Sequence, residues 1–230
     1  MSTSNDLAPA KRAAGIAAAR LVEPDMRVGL GSGSTAAEFV RALGERVRGG
    51  LRITAVATSL ATEKLARDEG IAIEPLDGDL DLAIDGADAV TSNRDALKGF
   101  GGALFREKII ARAARRFVIA VDETKRMDTL ADAGRLPIEV MQFGVERTIR
   151  AIQQLGFEPS LRRAADGSPF VTDNGQFIVD AAFRVSIEPS RLASALDSIT
   201  GIVEHGLFLG MAHAVIVGKR DGTTIEFGRG

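Results

Sequence analysis

The feature that most restricts the fold of this chain is an alternation of short apolar runs with helix-favouring segments. Apolar runs that predict strands cover 26–30, 51–58, 71–76, 80–85 and 117–122, and segments that predict helices cover 11–22, 36–50, 59–70 and 103–116. Strands separated by helices pair in parallel, and the helices cover both faces of the sheet. The alternation therefore predicts an α/β fold with a Rossmann-like, mostly parallel sheet.

A second pattern begins near residue 130. Over roughly 135–208 the predicted order is β-α-β-β-α-β, in which the last two strands are the runs 177–185 and 202–209. This order is typical of a ferredoxin-like unit. The apolar runs 213–219 and 223–227 then return to the first sheet. We therefore predict an α/β domain of residues 1–132 plus 209–230. A second, smaller ferredoxin-like α+β domain is predicted for residues 133–208.

Composition excludes several classes of function. A net charge of −2, from 29 basic and 31 acidic residues, argues against nucleic acid or an anionic membrane as the main partner. The chain has no cysteine and two histidines, which excludes disulfides and Cys-based metal sites and argues against a His-rich one. No apolar run reaches the roughly 18 residues of a membrane span, and the first residues do not read as a signal peptide. We predict a cytoplasmic protein.

The turn GSGST at 31–35 follows a predicted strand and opens a predicted helix. Free backbone N–H groups, the helix dipole and the hydroxyls of Ser32, Ser34 and Thr35 can converge there on an anion such as phosphate. The turn lacks the spacings of dinucleotide and P-loop nucleotide sites. A glycine turn of this kind also occurs for structural reasons alone. Thr35 and Glu38 are spaced as a capping box.

Residues 84–108 concentrate charge and glycine between two apolar runs. Asp85 and Asp88 follow a predicted strand, Lys98 precedes a glycine-rich turn, and Glu107 lies in the first turns of a predicted helix. Carboxylates with one ammonium suit proton transfer next to a carbonyl, because one carboxylate takes the proton and the cation stabilises the developing oxyanion. Each residue alone could equally be a solvated surface charge.

Several segments, in this order and spacing, closely resemble the signature segments of the A-type ribose-5-phosphate isomerases: GSGSTAAEF, DGAD, KGFGGALFREKI, VDETK, LPIEV and VTDNGQFIVD. The resemblance extends from about residue 11 to 218. It implies an aldose–ketose isomerase that interconverts ribose 5-phosphate and ribulose 5-phosphate, with neither a metal nor an organic cofactor. A homodimer or homotetramer is the expected assembly.

The resemblance also implies roles for individual residues. Glu107 would be the base that moves a proton between C1 and C2, and Lys98 would stabilise the enediolate. Asp85 and Asp88 would bind sugar hydroxyls and assist ring opening or proton transfer between O1 and O2. The remaining substrate-binding residues would be Ser32, Gly33, Ser34 and Thr35 at the phosphate, Lys125, and Gly86, Ala87, Gly99, Phe100 and Gly101 around the sugar, with Lys11 as a weaker phosphate candidate.

Two positions depart from the family pattern. Ala89 stands where a glutamate usually follows DGAD, and Phe100 stands where the run is usually KGGG. Neither removes a proposed catalytic group. Two alternatives remain open at this point: a non-catalytic sugar-phosphate sensor of the same fold, and a transferase or deaminase that uses a different carboxylate. The presence of both Glu107 and Lys98 favours catalysis over a sensor.

Overall fold

The structure is a computed structural model that describes residues 4–183 and 188–228. Its main sheet has six strands in the order β13-β12-β6-β3-β1-β2, all parallel except the edge strand β13. The strands are β1 (Arg27–Leu30), β2 (Thr54–Ala57), β3 (Leu80–Asp85), β6 (Ala114–Asp122), β12 (Ala214–Gly218) and β13 (Thr224–Gly228). The predicted return of the C-terminal strands to this sheet is confirmed.

Helices cover both faces of the main sheet. They are α1 (Ala8–Ala19), α2 (Ser34–Arg48), α3 (Leu60–Asp68) and α4 (Leu104–Ala113). Successive strand residues point to opposite faces, so Val118 and Ala120 pack with α1 and α2, whereas Ile119 and Val121 pack on the face covered by α4. None of the described helices is long and apolar enough to cross a membrane.

Three local predictions were wrong. The helix predicted for 103–116 ends at Ala113, and its last residues begin β6, because tertiary pairing with β3 outweighs their helix propensity. The capping box does not form: Gly33 is the N-cap of α2 and no side chain caps it. The segment 71–76 contributes only an isolated bridge from Ile73 to Ala55.

The second unit has a four-stranded antiparallel sheet in the order β10-β7-β9-β8. This is the order of a ferredoxin-like fold, so the predicted fold class is confirmed. Part of the strand predicted for 177–185, residues 184–185, lies outside the described residues. Its elements are β7 (Arg135–Val140), α5 (Val145–Gln153), β8 (Glu158–Leu161), β9 (Phe177–Ala182), α6 (Pro189–Asp197) and β10 (Ile202–His205).

A third, very small sheet joins the two units and was not predicted. It consists of β4 (Ala89–Val90), β5 (Ala96–Leu97) and β11 (Leu207–Phe208), in the order β11-β5-β4. Two of its strands lie inside the segment 84–108, and the third follows β10 after Gly206. β4 begins directly after Asp88 and β5 ends directly before Lys98, so the charged segment is anchored rather than a free loop.

Candidate active site

The glycine turn after β1 and the end of β3 meet at the carboxyl edge of the main sheet. The Ser32 N–H donates to Asp85 Oδ1 at 2.9 Å, and the Gly86 N–H donates to the same oxygen at 2.7 Å. A side chain at Gly31 would overlap the Asp85 carboxyl group, so this position requires glycine. The turn therefore holds a buried carboxylate as well as opening α2.

Lys98 lies between two carboxylates. Its Nζ is 3.1 Å from Asp85 Oδ2 and 3.4 Å from Glu107 Oε2, and it also donates to the Gly86 carbonyl. All three side chains are buried, at 2% exposure for Asp85 and Lys98 and 6% for Glu107. A buried cluster of ionisable side chains is tolerated in this low-dielectric environment because the ammonium compensates negative charge on the carboxylates.

Burial and neighbouring charge set the ionisation of these groups. Burial, reinforced by the negative charges of Asp85 and Asp88 and opposed by Lys98, raises the pKa of Glu107 to about 8. Burial disfavours the charged form of Lys98, but Asp85 and Glu107 outweigh it, and the pKa of Lys98 is raised. Lys98 thus stays cationic while Glu107 can exchange a proton near neutral pH.

A cavity of about 110 Å³ opens beside these groups. Its wall brings together the following predicted site residues: Ser32, Gly33, Ser34, Thr35, Gly86, Ala87, Asp88, Lys98, Gly99, Gly101, Glu107 and Lys125. The wall does not include three residues that were predicted from the sequence: Asp85, Phe100 and Lys11. Asp85 lies behind Lys98, and Lys11 lies in α1. The carboxylates, the ammonium of Lys98 and the N-terminus of α2 therefore share one small space.

Phe100 points away from the cavity, while its backbone holds the site. Its N–H donates to Asp88 Oδ2 at 2.9 Å, and its ring lies 4.6 Å from the Arg135 guanidinium. Among the described residues, positive φ angles outside glycine occur only at Asp25 and Arg94, so Phe100 needs no glycine conformation. Ala89 is fully buried in the apolar core of the second unit. Both departures from the family pattern are therefore accommodated.

Gly206 supports the site through its backbone and was not predicted from the sequence to do so. The backbone N–H of Lys98 donates to the Gly206 carbonyl at 2.9 Å, and a side chain at Gly206 would collide with the Lys98 carbonyl. The segment 202–209 was predicted as one strand, but Gly206 separates β10 from β11. A glycine inside a predicted strand indicates such a close approach of two backbones, and this was the available signal.

Comparisons with known proteins agree on one family. Residues 54–222 match the family profile Ribose 5-phosphate isomerase A (phosphoriboisomerase A). Ribose-5-phosphate isomerase A of Gloeobacter violaceus is 48% identical over 223 residues, which cover 96% of each protein. The namesake of Methanosarcina acetivorans is 47% identical over 226 residues, covering 96% of this chain and 94% of the relative.

Solved structures give the same result. Ribose 5-phosphate isomerase A from Methanocaldococcus jannaschii superposes with a TM-score of 0.91 at 34% identity, covering 99% of this chain and all of the other. A D-ribose-5-phosphate isomerase in complex with phospho-erythronic acid also reaches 0.91, at 36% identity with full coverage of both chains.

Proposed function

We infer the reaction of this chain from its family: it belongs to the ribose 5-phosphate isomerase A family and interconverts D-ribose 5-phosphate and D-ribulose 5-phosphate. The observation that carries the assignment of its residues is the buried pairing of Glu107 with Lys98 at the wall of the cavity. The related structure with phospho-erythronic acid, a phosphorylated sugar acid, supports a sugar phosphate as the ligand.

We propose that Glu107 moves the proton between the two carbons. In the aldose-to-ketose direction its carboxylate removes the proton from C2, electrons shift onto the C1 carbonyl oxygen, and an enediolate forms. The protonated Glu107 then returns the proton to C1, so no proton is gained or lost overall. A pKa of about 8 suits this role, because a base is most effective when its pKa lies near the operating pH.

Lys98, Asp85 and Asp88 are proposed to act on the oxygen atoms of the sugar. Lys98 Nζ lies 3.4 Å from Glu107 Oε2, so an oxyanion that forms beside the base also lies beside an ammonium. Asp88 on the wall and Asp85 behind Lys98 are the groups proposed to bind hydroxyls, to assist ring opening and to relay the proton between O1 and O2.

The phosphate is assigned to the other end of the cavity. Ser34 and Thr35 form the first turn of the 15-residue helix α2, whose free N–H groups and dipole favour an anion. Lys125, in a short 3-10 turn after β6, lies on the same wall and adds a positive charge. This end holds the substrate while the carboxylates act on C1 and C2.

The direct test replaces Glu107 with Gln, which keeps the shape of the side chain but cannot accept the proton. We expect isomerisation of ribose 5-phosphate to fall by about 10³-fold or more, while calorimetry still detects binding of the unreacted sugar. In deuterium oxide the variant also fails to introduce deuterium at the reacting carbon. Glu146→Gln, on the exposed start of α5, is the matched control and keeps full activity. Near-normal turnover of the Glu107 variant would contradict the mechanism.

The non-catalytic sensor has no observation in its favour, because both Glu107 and Lys98 line the cavity and the relatives bear the name of the enzyme.

Three further proposals concern the domain boundaries, the assembly and the location of the enzyme. They are the division into residues 1–132 plus 209–230 and 133–208, a homodimer or homotetramer, and a cytoplasmic location. Sedimentation analysis tests the assembly, and cell fractionation tests the location.

A further inference from the structure

The turn that follows Lys98 is held through its backbone. Gly99 has a φ of +110°, and its carbonyl accepts from the Gly102 N–H at 3.0 Å. The Phe100 N–H is bound by Asp88, and the Lys98 N–H is bound by the Gly206 carbonyl. The position of the Lys98 ammonium therefore depends on how firmly these peptide groups are kept in place.

An arginine from the second unit completes this support. Arg162 follows β8 directly, and its Nη1 donates to the carbonyls of both Gly99 and Phe100 at 3.0 Å. Arg162 is not part of the cavity wall around Lys98. It therefore reaches the catalytic turn from outside the substrate space, and it contacts backbone atoms rather than reacting groups.

The guanidinium of Arg162 is itself fixed on its other side. Its Nε donates to Asp180 Oδ2 at 2.8 Å, and its Nη2 donates to Asp180 Oδ1, which gives a two-point ion pair. Both side chains are nearly buried, at 11% and 10% exposure. Asp180 lies in β9 opposite Ser160 of β8, so Arg162, two residues after Ser160, is its diagonal neighbour on the same face of the sheet. The planar guanidinium can form two hydrogen bonds to Asp180 and donate to two carbonyls at once, which a lysine ammonium cannot do.

We propose that Arg162, locked by Asp180, is a positioning residue that holds the turn from Lys98 to Phe100 in its active geometry. Arg162 thereby contributes to the reaction from outside the cavity wall. This inference rests on the proposed role of Lys98. Because that role concerns the enediolate, misplacing Lys98 lowers kcat more than it changes KM.

The test compares Arg162→Ala with Arg163→Ala, which removes the same charge from the neighbouring, exposed arginine, whose side chain donates to the Gly167 carbonyl at 3.4 Å. We expect Arg162→Ala to lose about 10- to 100-fold in kcat, the effect of a displacement of roughly 1 Å, and the control to keep full activity. Guanidinium ion, added far below denaturing concentrations, restores much of the lost kcat by occupying the vacated space, and methylammonium does not. Arg162→Lys remains impaired.

Each outcome decides the proposal. A folded Arg162→Ala with normal kcat overturns it, and so does a loss that guanidinium does not restore, because that result indicates a purely structural defect. If Arg162→Ala fails to fold, Asp180→Asn keeps the guanidinium but weakens its lock, and an unchanged kcat in that variant overturns the proposal. Lys98→Ala is assayed alongside and is not rescued by guanidinium. Normal turnover of Lys98→Ala would refute the assigned role of Lys98, separately from the result for Arg162.

Discussion

Replacing Glu107 by Gln is expected to stabilise the protein in a pH-dependent way, in addition to abolishing turnover. In the unfolded chain this carboxyl group ionises at its ordinary pKa of 4.5, whereas in the folded protein burial raises the pKa to about 8. Between these two values the folded state keeps a proton that the unfolded state has lost. The stability of the native protein therefore decreases as pH rises through this window, relative to a variant that cannot ionise.

The size of the effect follows from the difference between the pKa of Glu107 in the folded protein and its pKa in the unfolded chain. A pKa difference of one corresponds to about 1.4 kcal/mol, so raising the pH from 5 to 7 should increase the stability advantage of Glu107→Gln by about 3 kcal/mol. Urea denaturation of both proteins at pH 5, 6, 7 and 8 measures the free energies of unfolding. Glu146→Gln controls for the removal of a carboxylate at an exposed position. A Glu107→Gln advantage that stays constant across these pH values would refute the argument, because it would mean that burial does not raise this pKa.

Three further predictions test other parts of the site. Since Glu107 acts in its ionised form, kcat/KM for ribose 5-phosphate should rise with pH and level off above about 8. A pH profile of kcat/KM that rises around the ordinary pKa of 4.5 instead would contradict a raised pKa. Gly31→Ala should cost about 1–3 kcal/mol in unfolding free energy and lower kcat, because the new Cβ displaces Asp85; Gly101→Ala, where a Cβ meets nothing within 4 Å, should preserve stability. Activity should survive exhaustive chelation, because Lys98 supplies the positive charge at the oxyanion; a requirement for added divalent metal would contradict that role.

The residue types of the candidate site could be predicted from the sequence, whereas their arrangement could not. Glycine, carboxylate and lysine types in DGAD, KGFGG and REK were enough to predict the charged groups, and twelve of the predicted residues line one cavity. Asp85 and Phe100 were predicted to contact the substrate. Asp85 lies behind Lys98 and Phe100 turns its ring toward Arg135, and their contacts with the substrate stay predictions. Side-chain direction on a turn depends on neighbouring elements, which local sequence does not specify.

The sequence by itself determined most of the longer helices and strands and the residue types of the site, because strand periodicity, helix propensity and glycine turns are local properties. Tertiary structure alone decided which of these groups meet. The 3.4 Å approach of Lys98 to Glu107 and the raised pKa of that base exist only once burial removes water from both. The same holds for Arg162, which lies 63 residues from Gly99 in the chain and reaches it only because the second sheet packs against the catalytic turn.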